Sequence, residues 1–98
     1  MHFGAEVLTP NIARHRANIW LTMNAGHLLI VKNPEFLVGE ALQWCFDVYL
    51  TIPQQNHPGL TTENRVGQIR LNAMTGEVVE PAILIEELKA NADSIILR

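Results

Sequence analysis

Gln43, Asp47, Tyr49, Arg70 and Asn72 are the residues whose types and spacing best suit recognition chemistry. Gln43, Cys45, Asp47, Tyr49 and Thr51 recur at every second position, so a strand sets them on one face. Arg70 and Asn72 lie on the polar side of a second alternating run. A carboxylate, a guanidinium, a phenol and two amides on one sheet face make a candidate binding surface. If the two strands pair in register, Arg70 is the natural cross-strand partner of Asp47. Acid–base catalysis is not expected there. It needs a dry cleft with shifted pKa values, and a flat sheet face supplies none.

Other reactive side chains carry less. Cys45 is the single cysteine and cannot close an internal disulfide. A nucleophilic thiol needs a base beside it and a lowered pKa, whereas the nearest ionisable neighbour along the chain is Asp47. Cys45 reads as a small packed thiol. Together with Tyr49 and Thr51 it forms an uncharged strip suited to a chain–chain interface. The four histidines, His2, His15, His27 and His57, have no metal-ligand spacing. His15 and His27 on one continuous helix would stand about 18 Å apart. No metal and no cofactor is expected. The glycines are scattered, so no phosphate-cradling loop exists.

These residues must be positioned by strands. Leu42, Trp44, Phe46, Val48, Leu50 and Ile52 alternate strictly, which predicts a long strand with one buried face. Phe36-Leu37-Val38 before Gly39-Glu40 predicts a shorter strand paired to it by a tight turn. Residues 53–63, with two prolines and a glycine, predict a loop long enough to carry function, with Asn56 and His57 as its candidate contacts. Residues 66–74 alternate again, Thr75-Gly76 makes a turn, and Val78-Val79 begins a fourth strand.

Helices flank the strands. Thr9-Pro10 opens the first, with Ile12, Ile19, Trp20 and Met23 at helical spacing. Leu28–Val31 fits either its continuation or a short buried strand. Ile19, Met23, His27, Ile30 and Val31 keep one face, which favours helix as far as Asn33-Pro34. Pro81 opens the second helix, with Leu84, Leu88, Ala92 and Ile95 as its apolar stripe. The expectation is a single α+β domain over residues 1–98. Its order is α-β-β-β-β-α, an antiparallel sheet of about four strands with both helices packed on one face.

The segment Val-Gly-Gln-Ile-Arg-Leu-Asn-Ala-Met-Thr-Gly-Glu-Val-Val, from Val66 to Val79, resembles the closing hairpin of PepSY-type domains. There a strand rich in Val and Ile runs into an Asp-Ala-x-Thr-Gly-Glu turn, and Asn72 stands where Asp is usual. The likeness covers 14 of 98 residues. The chain is also similar to small bacterial proteins that join a tryptophan-centred strand, a Pro/Gly loop and this hairpin. The PepSY likeness implies a regulatory domain that inhibits or chaperones peptidases, usually secreted or membrane-attached.

Bulk composition narrows the class. The chain is 48 % hydrophobic and only 17 % charged, against about 25 % charged for an ordinary domain, which excludes disorder. A chain of 98 residues buries only about 60–65 % of its unfolded surface, so apolar surface is left for a partner to cover. The net charge of −3 is spread evenly, leaving no basic stripe for nucleic acid. The charge-free stretch of residues 17–31 is too short to span a bilayer. The first sixteen residues lack the apolar core of a signal peptide, so the cytoplasm is the expected compartment. The expected function is a non-enzymatic protein-interaction module, self-associating as a homodimer. The alternative is a ligand- or peptide-binding regulatory domain, PepSY-like or the neutralising partner of a toxin.

Overall fold

The computed structural model describes residues 7–53 and 59–96. Five elements follow in order: α1 (Pro10–Asn24), β1 (Leu29–Val38), β2 (Leu42–Pro53), β3 (Thr61–Asn72) and α2 (Pro81–Ile96). The strands form one antiparallel sheet in the order β1-β2-β3. The fold is therefore α+β with an N-terminal and a C-terminal helix, and three strands are present among the described residues where four were expected.

The Thr9 hydroxyl accepts from the Ile12 N–H at 3.2 Å, and Pro10 occupies the first turn. Ala13, Ala17 and Leu21 are fully buried. Of the four apolar residues chosen from spacing, Trp20 packs against the core, but Ile12, Ile19 and Met23 are 48 %, 46 % and 78 % exposed. Two buried alanines make the inward stripe hard to see, because small side chains carry little hydropathy signal. The helix also stops earlier than its pattern suggests. The Ala25 and Gly26 N–H groups both donate to the Leu21 carbonyl, and a strand starts at Leu29. Leu29 and Val31 are buried opposite Leu50 and Val48, burial that a continued helix would forgo.

Asn33-Pro34 does not end an element but bends one. Between Lys32 and Glu35, β1 carries one extra residue relative to β2. Asn33 has φ +59° there, a conformation asparagine tolerates. β1 is an edge strand, where proline's missing N–H need not cost a ladder bond. Phe36-Leu37-Val38 pairs with Leu42-Gln43-Trp44 as expected.

β2 follows its alternation. Phe46, Val48 and Leu50 are buried, with Trp44 and Ile52 at the margins of the same face. Trp44 donates its indole N–H to the Leu8 carbonyl at 2.8 Å, tying residues before α1 to the sheet. β3 begins at Thr61, inside the expected loop, because Pro53 and Ile52 already pair with Thr61 and Thr62. Asn56 and His57 lie outside the described residues. β3 has its own extra residue, Val66, where Val48 pairs with Gly67 but Tyr49 pairs with Arg65. The Val66 side chain is buried, and its carbonyl accepts from Asn91 Nδ2 on α2 at 2.7 Å. At Gly67 an added Cβ would lie 3.1 Å from Leu88 Cδ2, so the missing side chain leaves room for α2.

After β3, Asn72 Oδ1 accepts from the Met74 and Thr75 N–H groups at 2.8 and 3.0 Å. Gly76 at φ +79° completes the turn. Val78 forms only an isolated bridge to Leu71, so the expected fourth strand is reduced to one rung before Pro81 starts α2. Leu84 and Leu88 are buried, with Ala92 and Ile95 packed beside them, which matches the expected stripe. One cluster of buried side chains draws on both helices and all three strands, with Phe46, Leu21, Ile69, Leu71 and Leu88 as its largest fully buried members.

Candidate functional site

The sheet face opposite the Phe46 core is a grid set by the pairing. Ile30, Tyr49 and Arg65 form one row, and Lys32, Asp47 and Gln68 the next. Glu35, Cys45 and Arg70 form the third, and Leu37, Gln43 and Asn72 the fourth. Thus all five polar candidates, Gln43, Asp47, Tyr49, Arg70 and Asn72, share one face, together with Cys45 and Thr51. The strands bring three cations, Lys32, Arg65 and Arg70, and three anions, Glu35, Asp47 and Glu63, to this face, and Glu87 of α2 adds a further acid beside Arg70.

Asp47 organises the middle of the grid. Its carboxylate accepts from Asn33 Nδ2 at 3.0 Å, from Arg65 Nε at 3.3 Å and from Gln68 Nε2 at 3.3 Å. The Asn33 hydrogen bond leads in holding the carboxyl below the usual aspartate range, assisted by Gln68 and Arg65 against a partial loss of water. Each bulge serves this site: one turns Asn33 toward Asp47, and the other brings Arg65 within reach. The expected Asp47–Arg70 pair is not formed. Gln68 stands opposite Asp47, and Arg70 stands opposite Cys45. Arg70 is thus two residues out of register with Asp47, and a single extra residue on β3 would have moved it to the opposite face instead.

Cys45 is 5 % exposed in the centre of the face. Burial pushes its thiol up, and Glu35 pushes the same way, against a smaller opposing pull from Arg70. This is the reverse of an activated nucleophile. Lys32 Nζ lies 5.5 Å from the Tyr49 ring centroid and pairs with Glu63 across the face. Thr51 Oγ1 donates to the Leu28 carbonyl at 2.8 Å, and Asn72 Oδ1 is committed to its turn. These two candidates therefore serve the scaffold, while Gln43, Tyr49 and Arg70 present side chains to the face.

Sequence reasoning missed Asn33, Arg65, Gln68 and Glu35. A glycine inside an alternating run signals a bulge, and Gly67 was the available clue to Arg65. A hollow of about 520 Å³ opens on this face, lined by Leu37, Cys45, Arg65, Gly67, Gln68, Arg70 and Glu87. A second, more apolar cleft of about 350 Å³ lies where the α1–β1 turn meets the end of α2, over Leu29, Leu50 and Leu88. Among the described residues no group of three or more His, Cys, Asp or Glu side chains is placed to hold a metal ion, and no helix is long and apolar enough to cross a membrane. Comparison with protein-family models, with curated proteins and with solved structures finds no match for this chain.

Proposed function

We propose that this chain is a non-enzymatic interaction module that self-associates through the sheet face carrying Cys45, Asp47 and Tyr49. The reading takes both helices to cover the Phe46 side together and leave the opposite face to a partner. One observation carries it: that face is of mixed sign, with cations and anions interspersed around the apolar side chains Ile30, Leu37, Cys45 and Tyr49. A surface of mixed sign can meet a copy of itself without net repulsion, which a two-fold interface requires. The directions in which the two groups are shifted favour binding over catalysis. Asp47 is pushed away from the near-neutral pKa of a general base, and Cys45 away from a thiolate.

The hollow beside Arg65 and Arg70 favours a second reading. Two guanidiniums and the Gln68 amide could hold an anionic group of a ligand or peptide, as in a PepSY-like regulatory domain or a partner that neutralises a toxin. Sedimentation equilibrium separates the readings. Self-association at micromolar concentration supports the first. A monomer at every concentration, stabilised by an acidic peptide in a thermal-shift assay, supports the second.

A further inference from the structure

Glu35 and Arg70 stand on opposite edge strands of the open face, one on each side of Cys45 in the same row. Both are exposed. Among the described residues neither has an ion-pair partner, while the other four charges that the strands bring to the face are paired as Lys32–Glu63 and Arg65–Asp47. Their Cα atoms lie two strand spacings apart, about 10 Å, with Cys45 between them, and the two side chains do not pair with each other. The two strand charges left over on this face are therefore of opposite sign and symmetric about β2.

That placement selects one symmetry. A two-fold axis running along β2, between two stacked sheets, keeps each row in place and exchanges the edges. β1 of one copy then lies over β3 of the other. Resting on the self-association proposed above, we infer that two copies stack face to face about this axis, with Glu35 of each pairing with Arg70 of the other. The Arg70 side of the face is the hollow floored by Cys45, so the incoming carboxylate enters a recess bordered by two guanidiniums. Glu80 and Glu87 border Arg70 from its α2 side and are the acids that compete for it.

The dimensions suit a weak dimer. Strands about 4.8 Å apart, with about 12 residues rising about 3.3 Å each, give a face of roughly 14 by 40 Å. That is about 560 Å² per copy and about 1,100 Å² per pair, at the lower edge of specific interfaces. Sheets stacked about 10 Å apart hold the two Cys45 Cα atoms beyond the about 7 Å that a disulfide can span, so association needs no oxidant.

The test is sedimentation equilibrium on wild type, Glu35→Arg, Arg70→Glu and the double variant, with circular dichroism confirming the fold of each. Every pair occurs twice in the dimer, so each single reversal acts at two places. Each should weaken association about tenfold or more, and the double variant should recover to within about threefold of wild type. Neutral Glu35→Gln and Arg70→Gln, which place no like charges together, should weaken it less. If wild type dimerises and single reversals leave the dimer unchanged, or the double variant fails to recover, the inferred pairing is wrong and self-association stands. If wild type is monomeric throughout, the proposed function fails and the pairing with it.

Discussion

Replacing Asp47 by alanine removes one carboxylate that three donors share, and those donors come from both edge strands. Asn33 sits in the β1 bulge, and Arg65 and Gln68 flank the β3 bulge. A hydrogen bond to a charged acceptor is worth about 1.5–3 kcal/mol when dry. The Asp47 side chain, however, is 23 % exposed and its Arg65 partner 50 %, so the freed donors regain water. About 0.5 kcal/mol each is the appropriate scale at such a surface, giving a loss of about 1.5 kcal/mol. For a domain of this size that is a fall in Tm of about 6–12 °C. The effect must depend on pH. Because the folded state holds the carboxyl below its ordinary value of 3.8, the stabilisation is complete above that value. It disappears as pH falls through the lower folded pKa. Urea denaturation of wild type and Asp47→Ala, followed by tryptophan fluorescence from pH 7 to pH 2.5, reads this directly. The gap between the two proteins should be constant from pH 7 to about 5 and close below about 4. A gap that persists unchanged at pH 2.5, or one absent at pH 7, would refute the role given to Asp47.

Two further outcomes follow from single positions. At Gly76 an added Cβ would fall 2.7 Å from Arg16 Cδ at φ +79°, so Gly76→Ala should cost about 1.5–2.5 kcal/mol. The double variant with Arg16→Ala should lose at least about 0.5 kcal/mol less than the sum of the single changes, and strict additivity in urea denaturation would contradict the steric account. Cys45, buried and with its thiol pushed up, should react with iodoacetamide at pH 8 at least about tenfold more slowly in the native state than in urea. Equal rates would show that the thiol is open to solvent.

The parts of this fold that were legible in the sequence are those where one signal acted alone. β2 alternates apolar and polar residues without interruption, and its two faces are as the alternation assigns them. The α2 stripe of Leu84, Leu88, Ala92 and Ile95 is equally plain. Legibility fails where two signals compete. Leu28–Val31 is an apolar run whose periodicity suits helix or strand alike, and only the positions opposite Leu50 and Val48 decide for strand. Asn33-Pro34 carries a stop signal locally, yet on an edge strand it makes a bulge. The start of β3, Thr61 to Arg65, is mostly polar on both sides, so no alternation marks it. The candidate face was found because all its central members lie on one alternating strand. Its pairing is not legible in the same way, since Arg65, Gln68 and Asn33 reach Asp47 through register and bulges that depend on three strands at once.

The exposed α1 stripe of Ile12, Ile19 and Met23 offers a rival contact surface, so the most direct measurement asks which face closes. Hydroxyl-radical footprinting read by mass spectrometry, at about 1 µM and about 200 µM protein, spans the range in which a weak dimer of this area forms. The account predicts that labelling of Tyr49 falls as concentration rises while labelling of Met23 stays constant. Loss of label at Met23 with Tyr49 unchanged would contradict it, placing the interface on α1 and leaving the Asp47 face to solvent.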